Sequence, residues 1–222
     1  MNGPLPKEGP ISDPGRVERR ETVAQLKRAI ILDAARAVFE TEGLQQASMR
    51  AIANAAGYTP GAIYAYFPCK EHIYAAALGE SLARLQTATE QAAATGPPAE
   101  RFIAAGLAFF DFYDTNPRDL DLGFYLFRGG IRPQGLSAEL NTELNAKLLA
   151  TLEPVRVAAC DQGATAEQAR MLMADVFAHA SGLLLLAHTR RIALFALDAR
   201  QLMQAHLRGL TETGGRERRG GR

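Results

Sequence analysis

Three groups of residues in this chain carry reactive or strongly polar side chains at suggestive spacing. The first is a run of hydroxyls and cations: Ser48, Arg50, Thr59, Tyr64, Tyr66 and Lys70. It holds no base that could activate a nucleophile. Its chemistry is hydrogen bonding and charge, suited to holding an anion rather than to breaking a bond. The second is Cys69, beside Lys70 at a predicted helix start, where a cysteine caps poorly but a thiol can be reactive. The third is His179 in the apolar segment VFAHASGLLLLAH, with Asp175 one turn earlier to orient it. That histidine reads either as a satisfied core or interface residue or as a ligand contact. His188 and His206 lack partners at metal-ligand spacing, so no metal is expected. The chain has no P-loop, no GxGxxG after a strand, no GxSxG and no HExxH, which argues against an enzyme and calls for no cofactor.

The elements that must position these groups are helices. The chain has 222 residues, 47% of them apolar, enough to bury a substantial core, and a net charge of only +1. Any basic footprint is therefore local. Two distant cysteines and no signal-peptide pattern suggest a reducing cytoplasm, and the apolar run GLLLLA is too short to span a bilayer. Residues 1–15 and 211–222 read as tails, the second one basic. Between them, Leu26, Ile30, Ile31, Ala34, Val38 and Phe39 recur at helical steps up to a stop at Gly43. A short helix follows from Met49 to Ala56, capped by Ser48 and ended by Gly57. The next starts at Thr59 with Pro60 in its first position and closes at Pro68. Longer helices are predicted over about 70–94, 99–114, after Pro117, and from Ser137 to about Asp161 with a kink or break at Pro154. Capping boxes at Thr165/Gln168 and Asp198/Gln201 open the last two. Residues 129–135 read as a loop. No stretch alternates with period two, so the fold is all-α.

Two short helices joined by a glycine-containing turn match a helix-turn-helix, whose second helix enters the DNA major groove. A plain two-helix corner in a bundle is the alternative. At 100° per residue, Ile63 and Phe67 form the inward stripe of the second helix, with Pro60 nearby. Tyr66 flanks that stripe, Tyr64 and Ala62 take the shoulders, and Gly61 and Ala65 point away. The outer face is small enough for close backbone approach.

Residues 48–71, SMRAIANAAGYTPGAIYAYFPCKE, closely resemble the DNA-binding segment of the tetracycline-repressor (TetR) family of bacterial regulators. The matching positions are Ser48, Ile52, Ala53, Ala56, Gly57, Thr59, Gly61, Ile63, Tyr64, Tyr66, Phe67, Lys70 and Glu71. The resemblance runs from the first helix into the fourth. It implies an N-terminal three-helix DNA-binding domain over 16–68 and a helical ligand-binding and dimerisation domain over 69–210. By resemblance, Ser48, Thr59, Tyr64 and Lys70 touch phosphate. Tyr66 divides between core and DNA. Pro60, Gly61, Ala62 and Ala65 face the groove, where apolar contact with thymine methyls is available. The second helix carries no Arg, Lys, Asn or Gln, so Arg50 is the candidate for a guanine contact, with phosphate contact or solvation as its other readings. Arg16, Arg19, Arg20, Lys27 and Arg28 of the first helix are either a solvated face or backbone contacts.

Half of the aromatics fall within residues 102–127. Core packing accounts for some of Phe102, Phe109, Phe110, Phe112, Tyr113, Phe124, Tyr125 and Phe127. Together with the resemblance, the cluster predicts an apolar effector pocket there, with Asp175 and His179 as further candidates. The family also implies a homodimer through the last two long helices, where Ala180, Ser181 and Gly182 permit close approach, and a pseudo-palindromic operator. Repression released by an apolar or aromatic small molecule is the expected function. Cys69 replaces the family's usual Ser or Asn, which leaves a thiol-responsive repressor open beside neutral drift. A helical binding protein without a DNA role is the remaining rival.

Overall fold

Local capping chemistry sets most of the helix boundaries. The computed structural model describes residues 14–128 and 136–219. Most of the expected N-terminal tail and the expected loop at 129–135 lie outside the described residues. Within them the elements are α1 (Pro14–Gln46), α2 (Met49–Ala56), α3 (Pro60–Tyr64), α4 (Lys70–Ala92), α5 (Pro98–Thr115), α6 (Pro117–Arg128), α7 (Ala138–Asp161), α8 (Ala166–His188), a 3-10 turn (Ile192–Phe195) and α9 (Ala199–Arg219). No strand occurs among the described residues. The chain divides into two units, 1–73 and 74–222.

In the first unit, α1 is interrupted at Gly43, whose φ of 72° and ψ of 160° leave the helix, as its sequence predicts. Its buried face is Ile31, Leu32, Ala35, Val38 and Phe39. The expected periodicity starts too early, because Leu26 and Ile30 are exposed. The core begins only where α2 packs on α1. From α2, Ile52 and Ala53 are fully buried, and Ile63 of α3 and Phe67 beyond it close the same core. Ile52, Ile63 and Phe67 each contribute on the order of 1.5–3 kcal/mol by leaving water.

In the second unit, α5 is central and packs on α6, α7, α8 and α9. Gly106 permits the α9 contact, since a Cβ there would lie 2.6 Å from the Leu207 side chain. The α7 helix runs unbroken through Pro154, where a kink or break is predicted, and buries Leu152, Val155, Ala158 and Ala159 on either side of it. Thr165 and Gln168 form the predicted capping box, and Asp198 accepts from the Gln201 N–H at 2.8 Å. The α9 helix continues to Arg219, so most of the stretch expected as a tail is helical. Extending an existing helix costs far less than starting one. By length and composition α8 could cross a membrane, yet it packs along α5, α7 and α9.

Candidate nucleic-acid interface

Three backbone devices build the helix-turn-helix. The Ser48 side chain accepts the Ala51 N–H at 3.1 Å and caps α2. Gly57 ends α2 in the left-handed region, with φ 72° and ψ 25°, and the Tyr58 N–H reaches back to the Ala53 carbonyl at 2.9 Å. That is a glycine C-cap, a conformation that other residues adopt only with strain. Thr59 then caps α3 by accepting from the Ala62 N–H at 3.3 Å, with Pro60 in the first position. Ser48 and Thr59 are both exposed, so each hydroxyl stands at an open helix start.

The sorting of faces holds through Tyr64 and then changes character. Ile63 is fully buried, Pro60, Gly61 and Ala65 are exposed, Ala62 is half-buried, and Tyr64 is 55% exposed. A Cβ on Gly61 would meet nothing within 4 Å, so its outer side is open. The helix ends at Tyr64, four residues before the predicted stop at Pro68. Tyr66 and Phe67 lie in the turn that follows, both donating their N–H groups to the Ile63 carbonyl at 2.8 and 3.0 Å. Phe67 is buried as expected, and Tyr66 is half-buried. Arg50 is exposed near the start of α2.

Lys70, given a phosphate contact by the resemblance, and Arg28, read as part of a solvated face or a DNA-backbone contact, both have protein partners in the structure. Lys70 donates to the Ala47 carbonyl at 3.0 Å, immediately before the α2 cap. Arg28 donates to the Tyr66 carbonyl at 3.3 Å, and its guanidinium lies 4.1 Å from the centroid of the Phe67 ring. Separations of 23 and 38 residues made both contacts invisible to local pattern. The Cys69 Sγ lies 3.0 Å from His72 Nδ1, another pairing missed in the sequence.

In the second unit the predicted ligand residues separate. Phe102, Phe109, Phe110 and Tyr113 are at most 5% exposed and pack as core. The Phe109 ring meets Tyr113 and Phe177 edge-on, with centroids 5.3 and 6.0 Å away. Burial, then the nearby Asp119 carboxylate, pushes the Tyr113 phenol well above its ordinary range. The side chains of Phe124, Tyr125 and Phe127 lie outside the described residues. His179 stacks on His206 of α9 at 3.7 Å, and the Asp175 carboxylate lies 3.5 Å from His206. Burial first, and then the neighbouring His206, lower the pKa of His179, with Asp175 acting the other way. Among the described residues no cluster suits a metal ion.

A groove of about 660 Å³ lies instead between α4, α5, α7 and α8. Ala93, Leu149, Ala150, Val157 and Met173 give it an apolar lining, with Arg101 and Arg170 also on its walls. None of the predicted ligand residues with described side chains, Phe102, Phe109, Phe110, Tyr113, Asp175 and His179, lines it. Periodicity marked the aromatic rings as apolar but could not tell a core from a cavity.

The profile of bacterial regulatory proteins of the tetR family matches residues 31–77, the segment built above. The transcriptional repressor KstR of Mycobacterium tuberculosis is 37% identical over 70 residues, covering 32% of this chain and 32% of that protein. KstR of Mycolicibacterium smegmatis is 40% identical over 76 residues, covering 34% and 37%. The matched stretch thus spans about a third of the length of these curated relatives. Among solved structures, the regulator FadR from Bacillus subtilis, in complex with stearoyl-CoA, superposes with a TM-score of 0.65. That match covers 84% of this chain and 98% of FadR at 18% identity, so what it shows is the shared fold. The capped helix pair, its glycine turn and the matching profile fall on the same residues, so this segment is similar to the bacterial regulatory proteins of the tetR family.

Proposed function

We propose that this protein is a DNA-binding transcriptional regulator, acting as a repressor that a small molecule releases from its operator. The observation that carries this is the outer face of the helix pair. Gly61 and Ala65 leave the backbone open, Tyr64 offers an exposed hydroxyl, and Ser48 and Thr59 mark two exposed helix starts, all seated on buried Ile63 and Phe67. Helix N-termini and hydroxyls suit phosphate oxygens, and an open backbone suits close groove approach. With no side chain on α3 able to make a bidentate base contact, DNA shape carries much of the selectivity and Arg50 supplies the direct guanine reading.

Two copies pair through α8 and α9 and read a pseudo-palindromic site with half-sites about 34 Å apart or a multiple. Ala174, Ala178 and Gly182 of α8 are exposed and small, and Leu185, Leu194, Phe195 and Leu197 are more than half exposed in a single copy. Apolar surface of that kind marks contact sites. Ala180 does not contribute, since it is buried within its own bundle. The effector is an apolar molecule, and the groove beside Leu149 and Val157 is its candidate seat. FadR's complex with stearoyl-CoA is an instance of a ligand with a long apolar chain on this fold. Coupling runs along α4, which begins at Lys70 and lines the groove with Gln86 and Glu90; about 1–3 kcal/mol of differential binding is enough.

Selection of bound DNA from a random pool, followed by a screen of small molecules for its release, tests this. A chain that enriches no sequence, or binds DNA without salt dependence, is not this regulator. A thiol-responsive version is favoured by one observation, the 3.0 Å Cys69–His72 contact at the start of α4. Operator binding that survives peroxide and iodoacetamide eliminates that version.

A further inference from the structure

We propose that Arg28 is a positioning residue for the recognition helix, holding the backbone at Tyr66 and Phe67 rather than contacting DNA itself; this rests on the DNA-binding function proposed above. A helix of five residues cannot sustain its own geometry in water, and α3 is that short. What orients it is its attachment at either end of the motif. Ahead of α2, Lys70 ties down the Ala47 carbonyl. Past α3, the Ile63 carbonyl is already shared by two N–H groups, and Pro68 offers no N–H to the turn. The Tyr66 carbonyl is taken by Arg28, from a helix 38 residues away in sequence.

The ring contact adds direction. Phe67 is 1% exposed although it lies in a surface turn, and the Arg28 guanidinium lies against its ring at 4.1 Å. A planar cation at that distance is attracted by the ring quadrupole and covers its face. A lysine keeps the charge but cannot reproduce the flat stack or the fork of donors. Releasing the clamp lowers the fraction of molecules whose recognition helix is seated for the groove, and apparent affinity falls with that fraction. A phosphate contact behaves differently. It depends on charge, and losing it reduces the slope of log affinity against log salt by about 0.9.

The test uses the full chain and its selected operator over a range of salt. Arg28→Lys is expected to weaken binding about three- to thirty-fold with an unchanged salt slope. Phe67→Leu combined with Arg28→Lys is expected to cost less than the two single losses multiplied, because both remove one contact. In the free protein, the Arg28 side-chain protons should show an upfield ring-current shift that Phe67→Leu abolishes. If Arg28→Lys fails to fold, Arg28→Gln takes its place; unchanged slope supports positioning, and a slope reduced by about 0.9 overturns it. Wild-type affinity in Arg28→Lys with a reduced slope in Arg28→Gln overturns it too. If the wild type binds no DNA, both proposals fall, whereas loss of this one alone leaves wild-type DNA binding intact.

Discussion

Gly61 separates what the fold needs from what recognition needs. Its Cβ position is empty and it sits inside α3, so Gly61→Ala removes unfolded-chain entropy without a clash. The variant is expected to be more stable by about 0.4–1 kcal/mol in urea denaturation. The same methyl stands where DNA would approach, so operator affinity is expected to fall about tenfold in a mobility-shift titration. If affinity is unchanged, the outer face of α3 is not against a groove. The caps at Ser48 and Thr59 were legible because capping is a local exchange between a hydroxyl and an N–H three residues on. Arg28 and Lys70 were legible only as charges. Which carbonyl a long side chain finds depends on packing between distant segments, and nothing in the neighbouring residues encodes it.

At the scale of elements, apolar steps and turn residues located the helices well, and errors arose where tertiary packing chose. The inward stripe of α1 begins at Ile31 rather than Leu26 because α2 covers only that part. The Phe102–Tyr113 face was correctly apolar, but sequence cannot say whether a ring meets another ring or a ligand. The α5–α9 seam depends on Gly106, and Gly106→Ala would drive a methyl into Leu207. A loss of about 1–3 kcal/mol in thermal or chemical unfolding is expected, the usual cost of overpacking. The α8–α9 seam holds the stacked histidines. His179 binds its proton less readily folded than unfolded, so the unfolded chain takes up protons first as pH falls. Its stabilising contribution is therefore complete above about pH 6.5 and is lost as pH falls through the lower folded value. The wild-type urea midpoint should fall more steeply between pH 7 and pH 5 than that of His179→Gln. Parallel profiles would remove the histidine from the account.

For the whole molecule, the relevant question is what a single copy leaves unfinished. Gly182 lies on the exposed face of α8 with nothing within 4 Å of its Cβ position, so Gly182→Arg fits the isolated fold. In a pairing that brings α8 helices together, the same side chain is a bulky charge at the closest approach. Sedimentation is expected to find Gly182→Arg monomeric with unchanged helicity, and its operator binding weakened at least a hundredfold through loss of the second head. A dimer that survives the substitution would move the pairing surface elsewhere.

The proline inside α7 gives the groove a character beyond its apolar lining. Because residue 154 has no N–H, the Ala150 carbonyl loses the donor that a helix normally provides four residues on. Both residues border the groove. A guest whose hydroxyl or amide hydrogen reached that carbonyl would replace the missing donor, whereas a hydrocarbon would not. Sites built that way discriminate by what a ligand lacks more sharply than by its size. The groove would then sort its visitors by a single polar hydrogen, a selectivity written into the backbone by the one residue that cannot donate.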